Sequence, residues 1–233
     1  PMFQAVVMAG GEGSRLRPLT SNRPKPMVPV VNRPIMEHIL TLLRISGVQE
    51  AYATLHYLAD EIEGYFTDGS DFGLKRQYSV EDTPLGTAGS VKRLQEYLRD
   101  TFLIISGDAL CDFDLGAAVR FHKEKGSAVT LVLKRVAEPR EFGVVVTNEA
   151  GQVQRFLEKP SWGEVFSDTV NTGIYVLEPK VLEQIASDRP VDFSRHLFPH
   201  LLAENWPIYG YIAEGYWCDI GSLEQYIQAN IDC

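Results

Sequence analysis

Cysteine, long apolar runs and surplus positive charge are scarce in this 233-residue chain, and each scarcity removes a class of protein. The three cysteines, Cys111, Cys218 and Cys233, cannot all pair within one chain and show no zinc-ligand spacing. Reduced thiols in a cytoplasmic setting are therefore the simplest expectation. Apolar runs such as Phe102-Leu103-Ile104-Ile105 and Val129-Thr130-Leu131-Val132-Leu133 fall far short of the roughly 18 residues a membrane helix requires. No basic region followed by a long apolar stretch opens the chain, so neither a signal peptide nor a membrane partner is expected. With 22 Lys and Arg against 31 Asp and Glu, the net charge is -9, which argues against nucleic acid. No internal repeat, low-complexity block or long linker divides the sequence. At 45% hydrophobic and 23% charged residues it can build a large core, as one domain or one with a small appendage. Pro1 ahead of Met2 reads as a cloning remnant, and the stop after the helical stretch at Ala229-Asn230-Ile231-Asp232-Cys233 suggests a domain cut from a longer protein.

What the chain does have is a concentrated cationic loop. The apolar run Ala5-Val6-Val7-Met8 leads into Ala9-Gly10-Gly11-Glu12-Gly13-Ser14-Arg15-Leu16-Arg17-Pro18, followed by Arg23 and Pro24-Lys25-Pro26. Glycine at Gly10, Gly11 and Gly13 removes side chains where a bulky anion must approach the backbone, and its N–H groups can turn inward as a cradle. Arg15, Arg17, Arg23 and Lys25 add positive charge within one short segment. The Rossmann spacing would need glycine at Leu16, and no Walker Gly-Lys-Ser/Thr is present, so neither familiar phosphate loop fits. An ordinary glycine-rich turn is the bland alternative; two prolines clamping Lys25 count against it. One cationic cluster on an acidic chain suits a small polyphosphate delivered with a divalent metal.

Strand-length apolar runs at 3–8, 51–56, 74–79, 101–106 and 127–133 alternate with helical stretches at 34–46, 58–66, 88–98 and 114–125, the pattern of a mainly parallel sheet wrapped by helices. Beyond about residue 133 the style changes. A hairpin is expected at 142–147 and 152–157 around Asn148-Glu149-Ala150-Gly151, then a strand at 170–177, helices near 179–186 and 193–204, a strand near 207–212 and a last helix from Ser222. Ligands of such sheets collect at the carboxyl ends of strands. Asp108 in Ser106-Gly107-Asp108 and Asp219 in Trp217-Cys218-Asp219 both fall at strand ends, where carboxylates can hold magnesium. Asp112-Phe113-Asp114 has the Asp-X-Asp form of many glycosyltransferases, but Asp114 has a local use as a helix cap.

With these residues in place, the chain resembles the sugar-1-phosphate nucleotidyltransferases from about Phe3 to Asn230. The ordered motifs are Gly10–Thr20, Pro24-Lys25-Pro26-Met27, Pro84-Leu85-Gly86-Thr87-Ala88-Gly89, Ser106-Gly107-Asp108, Glu141-Phe142-Gly143-Val144-Val145, Phe156-Leu157-Glu158-Lys159-Pro160, Asn171-Thr172-Gly173-Ile174-Tyr175 and Trp217-Cys218-Asp219-Ile220-Gly221. Ser14 stands where threonine is usual. The resemblance implies a Rossmann-like α/β fold with a mixed, mainly parallel sheet and a small β-rich sugar-binding subregion. Residues 2–231 would form one domain, nucleotide-binding to about 133 and sugar-phosphate-binding beyond.

It also implies roles. Gly10, Gly11 and Gly13 would embrace the nucleotide, Arg15 would meet its β- and γ-phosphates, and Lys25 would neutralise the α-phosphate. Asp108 and Asp219 would bind Mg2+. Glu81 or Asp82, with Pro84, Leu85 and Gly86, would line the base pocket. Gly143, Glu158 and Asn171 would contact sugar hydroxyls, and Lys159 the phosphate of the sugar 1-phosphate. No general base is needed, because a phosphate monoester oxygen is already ionised at neutral pH, so the five histidines are assigned to structure or surface. The loop around Pro84–Gly89 resembles the guanylyltransferase branch. That implies GTP and mannose 1-phosphate as substrates, and the N-terminal part of a bacterial fusion with a phosphomannomutase-like region. Uridylyl or adenylyl transfer to glucose 1-phosphate is the enzymatic alternative, and a non-catalytic nucleotide-sugar sensor is the alternative of another class. The family often continues into a C-terminal region that mediates assembly, so homo-oligomers would form through a part this chain lacks.

Overall fold

A computed structural model describes residues 3–10, 17, 19–21, 23–55, 75–80, 85–158 and 167–233, with the backbone alone at 75–80, 141 and 158. Its strands are β1 (Phe3–Met8), β2 (Pro29–Val30), β3 (Arg33–Pro34), β4 (Val48–Leu55), β5 (Lys75–Val80), β6 (Phe102–Ser106), β7 (Ala109–Cys111), β8 (Val129–Arg135), β9 (Gly143–Thr147), β10 (Val153–Glu158), β11 (Thr169–Leu177), β12 (Ile208–Ile212) and β13 (Trp217–Asp219). Nine form one mixed sheet in the order β10-β9-β11-β6-β1-β4-β5, with β8 on β11 and β12 on β8. Its centre, β6-β1-β4-β5, is parallel. β11 runs antiparallel to β6, β8 and β9, so the β-rich second part extends the same sheet.

The alternation of side chains along each strand divides the core between the two faces. Ala5, Val7, Leu103 and Ile105 pack with Ile35, Met36, Ile39, Leu40 and Leu43 of the helix Ile35–Ile45. Val6, Phe102 and Ile104 face the other way, onto Ala88 and Val91 of the helix Gly86–Lys92 and onto Phe193 and Phe198. All four residues of the Phe102–Ile105 run are fully buried, as a strand covered on both faces must be. Each such side chain contributes about 1.5–3 kcal/mol of burial.

Several expected elements take other forms. The stretch expected as a helix over 88–98 is helical at Gly86–Lys92, with a separate 3-10 turn at Gln95–Tyr97. The helix expected near 179–186 is a 3-10 helix at Pro179–Gln184, and that near 193–204 opens with a π-helical turn, Phe193–Leu197, before the α-helix Phe198–Ala203. β2, β3, β7 and β13 are two or three residues long, too short to leave a periodic signal. The helix expected at 58–66 lies outside the described residues. No described helix is long and apolar enough to cross a membrane, and all three cysteines are free thiols. Burial pushes the Cys111 thiol up to about 11, so it stays protonated at neutral pH.

His122, on the helix Leu115–Lys125, is buried against β8, its Nδ1 at 2.8 Å from the Thr130 hydroxyl and its Nε2 at 3.5 Å from the Glu178 carboxylate. Burial pulls its pKa down, more strongly than the Glu178 carboxylate raises it. Above the ordinary histidine value of about 6.5 the ring is neutral in both the folded and unfolded states. Below it, the unfolded chain takes up a proton that the folded ring refuses. Stability is therefore expected to fall as pH drops below about 6.5, towards the depressed folded value. Urea unfolding across this range is the measurement, and His122→Gln should flatten the slope; an equal slope in that variant would remove His122 as its source.

Candidate active site

The sheet order places a topological switch beside β1: the chain leaves it towards β4 and β5 on one side, while β6 lies on the other. Ligands of open α/β sheets bind in the crevice at such a point, outside the carboxyl ends of the strands. Met8 pairs with Ser106, so Ala9 and Gly107 leave the two strands side by side. The Gly107 N–H donates to the Met8 carbonyl at 2.8 Å, and a Cβ at Gly107 would stand 2.7 Å from that oxygen. Glycine is required there because the two backbones touch.

Asp108 follows and points its carboxylate at Lys25. The Lys25 Nζ to Asp108 Oδ2 distance is 2.7 Å, and both side chains are largely buried, at 12% and 24% exposed. Ser106 Oγ donates to the other carboxylate oxygen. Burial would push the Asp108 carboxyl up, but the Lys25 charge and the hydrogen bonds from Lys25 and Ser106 outweigh it and hold the carboxyl below its usual range. Ser106 belongs to the recognised motif, yet this support of the carboxylate needed the fold to show it.

Lys25 reaches the crevice through a rigid path. The 3-10 turn Lys25–Met27 has buried Pro26 at its centre, and the hairpin β2–β3 follows, turning through Val31 and Asn32 at φ 49 and 64. Such a left-handed pair matches the twist of a tight hairpin, although a β-branched valine adopts it at a cost. The helix Leu223–Asp232 braces the turn: Asn230 Oδ1 accepts from the Val31 N–H at 3.0 Å, and the Tyr226 hydroxyl donates to the Pro29 carbonyl at 2.6 Å.

Asp219 comes from the strand just before that helix. β13 pairs antiparallel with β7, setting Asp219 opposite Ala109, and the Ile220 N–H donates to the Asp108 carbonyl at 2.9 Å. The two acids, 111 positions apart in the chain, thus lie on adjoining rungs. Trp217, two residues earlier on β13, packs against Phe142 with ring centroids 5.3 Å apart and planes tilted by 58°, and its buried indole N–H has no acceptor among the described residues.

The expected sugar contacts form a row. Gly143 pairs with Glu158 on β10, and Val144 with Val170 on β11, so the antiparallel register continues from Gly143 to Asn171. β11 bulges between Asn171 and Ile174. Gly173 takes φ 79, and a Cβ there would stand 3.0 Å from Ser106 Cβ. Asn171 Oδ1 accepts from the Gly173 N–H at 2.9 Å and its Nδ2 donates to the Tyr175 hydroxyl at 3.1 Å, so part of this amide shapes the bulge.

Gly86 opens its helix at φ 76, and a Cβ would lie 2.4 Å from the Val191 carbonyl oxygen. That oxygen accepts from the N–H groups of Ala88 and Gly89, while the Val191 N–H donates to Leu85. Gly10 begins the glycine-rich loop; Gly11, Gly13, Arg15, Glu81, Asp82, Pro84 and Lys159 lie outside the described residues. The Asp-X-Asp motif is used structurally, since Asp112 Oδ1 accepts from the Tyr216 N–H at 2.7 Å and Asp114 caps the helix Leu115–Lys125 through the Ala117 N–H.

The nucleotidyl transferase family matches residues 4–233, and the chain belongs to it. It is 40% identical over 241 residues to a UTP–glucose-1-phosphate uridylyltransferase of Synechocystis, covering 97% of this chain and 62% of the relative. It is also 40% identical over 230 residues to a mannose-1-phosphate guanylyltransferase of Mycobacterium tuberculosis, covering 98% and 64%. The chain thus spans under two thirds of the length of these curated relatives. A crystal structure of HddC from Yersinia pseudotuberculosis complexed with GMP-PN superposes with a TM-score of 0.85 at 26% identity, covering 99% of each chain.

Removing the ammonium should expose what Lys25 does for Asp108. In metal-free buffer, Lys25→Met is expected to lower unfolding stability by about 3 kcal/mol, because it strands a buried carboxylate, and to raise the Asp108 pKa. Carboxyl 13C titration and urea unfolding measure the two effects; an unmoved pKa would show that Lys25 does not set it.

Proposed function

We propose that this chain transfers a nucleoside monophosphate from a nucleoside triphosphate to a sugar 1-phosphate, releasing pyrophosphate, with GTP and mannose 1-phosphate as the pair. The observation that carries this reading is the Lys25–Asp108 contact at the switch point, with Asp219 one rung away.

An oxygen of the sugar phosphate attacks the α-phosphorus, a new P–O bond forms, and the α–β P–O bond breaks as pyrophosphate leaves. Both reactants are anions, so positioning and charge neutralisation supply most of the catalysis. Lys25 offers its ammonium to the α-phosphate, exchanging one anionic partner for another, and Arg15 takes the β- and γ-phosphates. Gly10, Gly11 and Gly13 wrap the triphosphate. Glu81 or Asp82, Pro84, Leu85 and Gly86 hold the base. Lys159 holds the sugar phosphate, and the row Glu158–Gly143–Asn171 reads the sugar hydroxyls across three strands. Residues to about 133 act as the nucleotide half and the rest as the sugar half of one domain.

Asp108 and Asp219 fit magnesium, a hard cation that takes carboxylates together with substrate phosphates. Among the described residues no third acid, histidine or cysteine closes a cage around them, which leaves ligand positions for phosphate oxygens. Bound there, the ion would offset phosphate charge. The free thiols and the lack of a membrane-crossing helix among the described residues fit a cytoplasmic enzyme.

The choice of base rests on resemblance. The guanylyltransferase relative and the GMP-PN complex of HddC support GTP. An equally identical uridylyltransferase keeps UTP with glucose 1-phosphate as the second reading.

Pyrophosphate release measured for each nucleoside triphosphate against mannose 1-phosphate and glucose 1-phosphate tests both readings. Selective turnover of GTP with mannose 1-phosphate is expected, and another productive pair would reassign the pocket. Lys25→Ala, Asp108→Asn and Asp219→Asn should each lower kcat at least about 100-fold while circular dichroism stays native. Near-normal turnover in these variants would sink the mechanism.

A further inference from the structure

Away from the crevice, behind the base loop, lies a cavity of about 460 Å3 whose lining includes Arg189, Arg195, His196 and His200 over Pro190 and Val191. On a chain of net charge -9 this is a local concentration of cationic and N–H donor groups that the proposed chemistry does not use. Arg189 has a loose, exposed contact with neighbouring Asp188 at 3.6 Å, and Arg195 has no carboxylate partner among the described residues.

The backbone sets these donors in place. Arg195 and His196 ride on the π-helical turn Phe193–Leu197, where the Leu197 N–H reaches back five residues to the Asp192 carbonyl at 3.0 Å. Such turns are rare and occur frequently at functional sites. The Asp192 N–H donates to His196 Nδ1 at 2.8 Å, which assigns the ring proton to Nε2 and makes that nitrogen a donor. Two guanidiniums and an imidazole N–H make a donor set suited to phosphate oxygens.

The cavity wall is also the back of the base loop. Val191 lines the cavity and bonds through its backbone to Leu85, Ala88 and Gly89. The next residues repeat the tie: Asp192 Oδ1 accepts from the Thr87 N–H at 3.1 Å, and Thr87 Oγ1 accepts from the Phe193 N–H at 2.9 Å. At the far end Lys92 Nζ donates to the carbonyls of Leu182 and Ile185. The segment 182–193 is therefore strapped to the helix Gly86–Lys92 at both ends.

We propose that this cavity is a second anion site, taking the phosphate group of a small molecule, and that its occupancy alters nucleotide affinity through Val191 and Gly86. The coupling rests on the base-binding role proposed for Leu85 and Gly86; the anion binding does not.

The test titrates 13C-histidine-labelled protein with inorganic phosphate, and in a parallel arm with a nucleoside monophosphate. Ring signals of His196 and His200 are assigned through His196→Gln and His200→Gln. Both signals should move saturably, the tighter arm identifying the occupant as free ion or ester. Arg189→Gln with Arg195→Gln should weaken the binding at least about tenfold. Still signals in both arms, or shifts unchanged in the double variant, overturn the site. For the coupling, phosphate should change equilibrium nucleoside triphosphate affinity at least about fivefold in the parent beyond any change in the double variant. An identical response in both proteins assigns the effect to the catalytic crevice and overturns the coupling. Because the histidine signals need no turnover, an inactive enzyme would count against the proposed reaction and leave the anion site to be judged separately.

Discussion

A largely buried ammonium on a largely buried carboxylate, Lys25 on Asp108, is the contact around which this molecule is arranged. Neither charge could be taken from water alone, and together they are tolerated because Ser106 supplies a further hydrogen bond to the carboxylate. The pair needs two backbones to meet at the carboxyl end of the sheet, which Gly107 allows by lacking a Cβ against Met8. It needs Lys25 on a stiff loop, which the flanking prolines provide. It also needs the hairpin after that loop to hold a left-handed turn at Val31 and Asn32, which the last helix braces with Asn230 and Tyr226. Residues near both ends of the chain thus position one ion pair.

That pair suits a substrate that is itself polyanionic. Lys25 is held by Asp108 without substrate, so in the proposed reaction it would enter already positioned, and catalysis of charge-dense transfers gains most from donors that need no reorganisation. The sheet supplies the second half of the site in the same way. β11 lies between β6 and β9, so its bulge at Asn171–Gly173 packs on Ser106 while its register carries Asn171 alongside Gly143. One strand thus joins the residues proposed for phosphate chemistry to those proposed for sugar recognition.

In the proposed function the base is read elsewhere, and the relatives are consistent with that. A uridylyltransferase and a guanylyltransferase are equally identical to this chain, as expected if the phosphate-handling crevice is shared and a few contacts near Leu85 and Gly86 discriminate. Leu85 and Gly86 stand at the start of the helix Gly86–Lys92, which is bonded to the segment ending at Val191 and Asp192. What lies behind that segment is therefore mechanically close to the residues proposed to choose the base.

Much of the fold was legible because its signals are local. The buried runs at Phe3–Met8 and Phe102–Ile105, the helices Ile35–Ile45 and Leu115–Lys125, and the Asp114 cap follow from apolar spacing and capping chemistry that act within a few residues. The candidate acids were legible as polar residues at strand ends. The short strands β7 and β13 were not, because pairing a few residues across about a hundred others leaves no period in the sequence. The sequence alone determined an acidic α/β chain with one cationic, glycine-rich loop and acids at strand ends. Only the tertiary structure decided that Lys25 rests on Asp108, that Asp219 stands one rung away, and that Glu158, Gly143 and Asn171 share a row. Sheet order and register are set by packing among distant segments, and no single segment carries that information.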